Sequence, residues 1–113
     1  QQSAGSSSKI AIRDLEIDLF SRSVVRGGVE IALTSKEFDL LHVLMENPGR
    51  VFDRKALMEM LNAKDRSEDS IARHDLRTVV VYVRRLRDKV EKNPANPEYI
   101  MTRWGVGYYF ANK

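Results

Sequence analysis

The sequence predicts an α+β fold: a small antiparallel sheet near the N-terminus, a bundle of three helices, and a C-terminal β-hairpin. Three observations carry that prediction. Apolar residues alternate with polar ones across residues 9–34, the period of a half-buried strand. Further on, apolar residues recur at helical spacing in three separate segments. Near the C-terminus, two short β-rich runs flank Trp104-Gly105. A chain of 113 residues makes one domain, large enough to bury a core without disulfides or a metal.

Residues 1–8 (QQSAGSSS) are small and polar and have nothing to bury. They read as an expression scar or the end of a flexible interdomain linker, which leaves residues 9–113 as the domain. Ile10 and Ile12, then Leu15, Ile17 and Leu19, supply the strand-like alternation. Val24-Val25-Arg26 and Val29-Glu30-Ile31 flank Gly27-Gly28. Two glycines provide the positive φ angles of a two-residue hairpin loop, so these runs form a hairpin. Thr34 and Glu37 form a capping box, in which a hydroxyl satisfies one orphan amide and a carboxylate another. Phe38, Leu41, Leu44 and Met45 follow at helical spacing, and Asn47-Pro48-Gly49 stops that helix. Val51-Phe52 is a short extended link. Asp53 caps a second helix with Leu57, Met58 and Leu61 on its apolar face. Residues 63–74 are charged and lack periodicity, and read as an irregular connection. A third helix covers about 75–92, ended by Asn93-Pro94-Ala95-Asn96-Pro97. A strand at 99–103, a turn through Trp104-Gly105 and a strand returning to about Phe110 complete the chain.

Charge is uneven along this layout. Residues 9–62 hold 8 Lys/Arg against 9 Asp/Glu, whereas residues 63–113 hold 11 against 7. The excess sits in residues 77–92, where six basic residues face only Asp88 and Glu91. A concentrated basic stripe suits a polyanionic partner. With successive residues 100° apart and Val79 at 0°, Val83, Leu86 and Val90 fall within about 40° of it, one narrow core-facing stripe. Arg84, Arg77, Asp88, Val81, Arg85 and Thr78 fall on the opposite side, at roughly 140° to 260°, and Arg87 lies toward the flank at about 80°. Two readings fit that face. It is a solvated helix surface with one exposed valine, or a recognition helix for the DNA major groove. In the second, arginine bonds a guanine edge bidentately and a small apolar side chain meets a thymine methyl, while flanking arginines hold phosphates. The preference for arginine over lysine favours the second, because a planar fork suits bases and phosphates.

The C-terminal turn places Arg103 and Trp104 on an exposed ribbon that can reach a second groove or the backbone, although a hairpin tryptophan also reads as a packing residue. Gly105 and Gly107 read as turn glycines, since a dinucleotide-binding loop needs a strand-to-helix context they lack. Three helices followed by such a ribbon describe a winged helix-turn-helix fold. No catalytic, metal or cofactor site emerges. The chain has no cysteine, which removes thiolate chemistry and fits a reducing, cytoplasmic setting. His42 and His74 have no nucleophile or carboxylate partner at a catalytic spacing, and Asp65, Glu68 and Asp69 do not match a calcium loop. No apolar run approaches a membrane span, and no signal peptide is apparent. The alternative to a DNA-binding domain is a winged-helix module that docks only proteins.

Three segments resemble the OmpR/PhoB class of bacterial response-regulator effector domains. Residues 33–41 (LTSKEFDLL) followed by 47–51 (NPGRV) are similar to the family stretch LTxxEFxLLxxLxxxPGxV. Residues 77–89 (RTVVVYVRRLRDK) resemble RTVDVHIxRLRxK, the recognition helix, and residues 102–110 (TRWGVGYYF) resemble TVxGxGYxF of the wing. The resemblance runs from about Ile10 to the C-terminus. It implies a four-stranded N-terminal sheet, a three-helix bundle and a C-terminal wing. It also implies base contacts at Val81 and Arg85, joined by Thr78 from the helix geometry. Backbone contacts are implied at Arg77, Arg84 and Arg87, with Tyr82 where a histidine is common, and wing contacts at Thr102, Arg103 and Trp104. The expected partners are double-stranded DNA with direct-repeat sites, a second copy on that DNA, and an upstream receiver domain with its sensor kinase. RNA polymerase is expected at the loop between the second and third helices, here Lys64, Asp65, Arg66, Glu68 and Asp69. Val80 stands where the family usually has an acidic residue and Asn62 where a Trp-Gly pair is frequent, and the loop is longer than the family's.

Overall fold

The computed structural model describes residues 8–64 and 76–111, with side chains from 8–62 and 76–111. Four short strands come first: β1 (Lys9–Ile12), β2 (Leu15–Asp18), β3 (Ser23–Arg26) and β4 (Val29–Ile31). They form an antiparallel meander in the order β1-β2-β3-β4. Gly27 and Gly28 both take positive φ, 57° and 86°, as the two-residue turn required. Leu15, Ile17 and Val24 are buried on one face. Two turn residues are arginines in the left-handed region, Arg13 and Arg22, a conformation that costs a non-glycine residue about 1–2 kcal/mol. Each offsets that cost by tying the sheet to a distant element. The Arg13 guanidinium donates to the Glu98 carbonyl at 2.5 Å and lies 4.8 Å from the Tyr99 ring centroid. Arg22 pairs with Asp39 at 3.0 Å and lies over Phe38 at 4.4 Å.

The helices are α1 (Ser35–Glu46), α2 (Arg54–Lys64) and α3 (Leu76–Val90). Both halves of the capping box form: the Glu37 amide donates to the Thr34 hydroxyl, and the Thr34 amide donates to the Glu37 carboxylate at 3.0 Å. Asp53 caps α2 by accepting from the Ala56 amide at 2.7 Å. α1 is buried over most of its circumference, through Phe38, Leu40, Leu41, Val43, Leu44 and Met45. The reason is its central place, packed on α2, α3, β1 and the C-terminal sheet. Leu57, Met58 and Leu61 of α2 and Val79, Val83, Leu86 and Val90 of α3 close the core.

The C-terminal sheet has three strands where the sequence suggested two. β5 (Phe52–Asp53), β6 (Ile100–Arg103) and β7 (Gly107–Phe110) run in the order β5-β7-β6. The extended link expected at Val51-Phe52 is a two-residue strand one position further on, with Phe52 opposite Tyr108 and Asp53 opposite Gly107. Two residues are too few to show any periodicity. Gly107 also has a different job from the one its turn position suggested. A Cβ there would lie 2.7 Å from the Asp53 Cα and 2.8 Å from the Phe52 carbonyl carbon, and closer still to the Phe52 oxygen. It is therefore the glycine that lets β5 approach β7, while Gly105 alone carries the positive φ of the turn, 81°. α3 stops at Val90, two residues short of the sequence expectation. Arg26 takes the Val90 carbonyl at 2.6 Å, and the next side chain, Glu91, turns away onto β6. Together these elements form the winged helix-turn-helix architecture, with the β6–β7 hairpin as the wing. No helix among the described residues is long and apolar enough to cross a membrane.

Candidate nucleic-acid interface

α3 divides its side chains as the helical projection predicts. Val79, Val83, Leu86 and Val90 are all at most 1% exposed. Arg77, Val81, Arg84, Arg85 and Asp88 are exposed, and Thr78 and Tyr82 are half-buried. Arg77, Thr78, Val81, Tyr82 and Arg85 line one shallow concavity of about 330 Å³. A broader cleft of about 650 Å³ runs along the wing side of the same helix, lined in part by Val80, Val81, Arg84 and Tyr108. Val81 lies at the ridge between the two. Among the described residues, no hydrogen bond or ion pair engages the guanidinium groups of Arg84 and Arg85. The exposed face thus presents forked donors on either side of an apolar side chain, the combination that reads base edges and phosphates.

Two basic residues of the same segment are committed inward. The Lys89 ammonium bonds the buried Glu37 carboxylate at 2.6 Å. Burial alone raises the Glu37 pKa, but the Lys89 and Thr34 bonds outweigh it, so the net shift is downward and the carboxylate stays ionised. Arg87 reaches the wing. Its Nε donates to the Ile100 carbonyl at 3.0 Å, its Nη2 donates to the Thr102 hydroxyl at 2.6 Å, and its head lies 5.7 Å from the Tyr108 ring centroid. Burial lowers the Arg87 pKa, opposed by Tyr108 and Glu91, and the group remains a cation. Thr102, expected at the DNA surface, is half-buried and accepts this bond.

The wing tip is open. Trp104 is 89% exposed, so it is not a packing residue, and Val106 is 51% exposed. Arg103 is exposed beside them, and the Val106 amide closes the turn on the Arg103 carbonyl at 2.9 Å. Of the expected polymerase loop, Asp65, Arg66, Glu68 and Asp69 lie outside the described residues, as does the side chain of Lys64. His42 Nε2 lies 3.6 Å from Glu46 within α1. Among the described residues, no three potential metal ligands cluster.

Glu91 is the residue that the sequence concealed. It is 4% exposed and accepts from the amides of Glu98 at 2.7 Å, Tyr99 at 3.0 Å and Ile100 at 2.8 Å. One signal pointed to it: an acid at a helix C-terminus opposes the helix dipole, so it needs compensating donors elsewhere.

A family model described as "Transcriptional regulatory protein, C terminal" matches residues 28–110, and the chain belongs to that family. It is similar to the response regulator DrrB, an OmpR/PhoB homologue of Thermotoga maritima. Identity is 36% and the TM-score 0.78, over 92% of this chain and 44% of DrrB. The chain therefore spans less than half of that protein. It is also similar to the DNA-binding domain of RstA from Klebsiella pneumoniae, solved in complex with the RstA box. There the identity is 34% and the TM-score 0.77, over 93% of this chain and 98% of the other. The AdeR DNA-binding domain, solved with an intercistronic region, matches at 25% identity and a TM-score of 0.73, over 91% and 98% of the two chains. The OmpR/PhoB resemblance carried by the three motifs is borne out.

Proposed function

We propose that this domain binds double-stranded DNA sequence-specifically, as the output domain of a two-component transcription regulator. The observation that carries the reading is the exposed face of α3, where the exposed side chains of Arg84 and Arg85 flank Val81. α3 enters the major groove. Arg85 reads a guanine edge, Val81 contacts a thymine methyl and Thr78 bonds a neighbouring base. Arg77, Tyr82 and Arg84 hold the flanking phosphates and set the register. The wing presents Arg103 and Trp104 to the minor groove or the sugar-phosphate backbone. The domain acts by binding, with no catalytic step and no cofactor. In the full-length protein a receiver domain phosphorylated by a sensor kinase precedes this domain in the cytoplasm. Residues 64–69 contact RNA polymerase.

Two copies bind direct repeats on one face of the duplex, with half-sites about one turn, roughly 10–10.5 bp, apart. Inserting about half a turn between the repeats is expected to abolish cooperative binding, measured by titrating the domain on both duplexes. Affinity indifferent to the insertion would rule out tandem docking.

A further inference from the structure

β6 is an edge strand, because the sheet runs β5-β7-β6. An edge strand leaves a row of backbone groups without a ladder partner. In an antiparallel pair, the amide and carbonyl of one residue both face the partner strand or both face away. The groups of Ile100 face away from β7 and meet Arg87 of α3 and Glu91 just beyond it. The amide donates to Glu91 at 2.8 Å, and the carbonyl accepts from Arg87 at 3.0 Å. The Glu91 amide, one residue past α3, still bonds the Arg87 carbonyl at 3.0 Å, so the two side chains keep the helical four-residue spacing and share a face. Glu91 extends the attachment back to Glu98 and Tyr99. Arg87 extends it forward to the Thr102 hydroxyl, two residues from Trp104. Charged partners make the stronger hydrogen bonds, and a buried carboxylate such as Glu91 is tolerated only when bonded in this way.

We propose that Arg87 and Glu91 clamp the wing to the recognition helix, so that Arg87 serves DNA binding as a positioning residue for the wing and not as a phosphate ligand. Its Nε and Nη2 are committed to Ile100 and Thr102, which turns the fork toward the wing. Arg84 and Arg85 carry no such bonds among the described residues. The clamp makes α3 and the wing tip one rigid unit. Its effect on affinity rests on the DNA-binding reading, but the clamp itself does not.

The test has one arm without DNA and one with it. In the first, backbone amide exchange is followed in the wild type, Arg87→Ala and Thr102→Val. Thr102→Val removes only the hydroxyl acceptor and keeps the fold. Exchange in β6 and the wing turn is expected to accelerate by about tenfold or more in Arg87→Ala, the loss of a charge-assisted hydrogen bond. Thr102→Val should move the same amides by less, with α3 unchanged in both. Wild-type exchange in the wing of Arg87→Ala would overturn the clamp.

In the second arm, Arg87→Ala, Trp104→Ala and the double variant are titrated on the strongest duplex selected from a random pool. If Arg87 acts through the wing, the double variant loses no more affinity than the worse single variant, within about twofold. Multiplying losses, with a salt slope lower by about one, would make Arg87 a phosphate contact and overturn the proposal. A wild type that prefers no duplex would count against the DNA-binding reading instead, and the exchange arm would still decide the clamp.

Discussion

Gly107→Ala is expected to destabilise the domain by about 3 kcal/mol or more, the upper range for forcing an atom into a packed site. The atoms in the way are the backbone of Phe52 and Asp53, which cannot turn aside as a side chain can. β5 must leave β7, which breaks the pairing of Phe52 with Tyr108 and of Asp53 with Gly107. Asp53 also caps α2, so the damage reaches the helix bundle. Gly105→Ala is the matched control. Its Cβ meets nothing within 4 Å, and only the positive φ penalises it, at about 1–2 kcal/mol. Thermal melts of the two variants should differ clearly, with Gly107→Ala lower than wild type by about 12 °C or more. A Gly107→Ala melt within about 2 °C of wild type would mean that β5 is not held as described.

Arg85→Ala is expected to cost about 1–3 kcal/mol on the selected duplex and to relax preference at one or two base pairs. The residue is exposed, lines the concavity shared by Thr78 and Val81, and lies far from the buried stripe of α3. Its removal should therefore leave the melting temperature close to wild type. The decisive comparison is the loss on the selected duplex against the loss on a scrambled one. A loss confined largely to the selected duplex supports a base contact. Equal losses on both, with base preference intact, would make Arg85 a phosphate contact and shift base reading to Val81 or the wing.

Much of this architecture is legible in the sequence where its cause is local. The Thr34–Glu37 capping box, the Gly27-Gly28 turn and the Asp53 cap each depend on residues a few positions apart, and each forms as read. The buried stripe of α3 follows from periodicity alone. Residues whose role depends on a distant strand are not legible in this way. Phe52 and Asp53 are a strand only because β7 lies beside them, and Gly107 is required only because they are there. Arg87 and Glu91 look like ordinary members of a charged helix end until β6 presents its unpaired edge. The basic stripe divides for the same reason: Lys89 faces Glu37 and Arg87 faces the wing, while Arg84 and Arg85 have no such partner among the described residues.

Sequence-specific DNA binding is tested most directly by titrating the wild-type domain, across a salt series, on a duplex selected from random sequence and on its scrambled counterpart. The selected duplex should bind at least about a thousandfold more tightly. The logarithm of the affinity should fall linearly with the logarithm of salt on both duplexes, with a slope of roughly −0.9 for each phosphate neutralised. Equal affinity for the two duplexes, or binding that hardly responds to salt, would contradict the account and leave a winged-helix module that docks proteins.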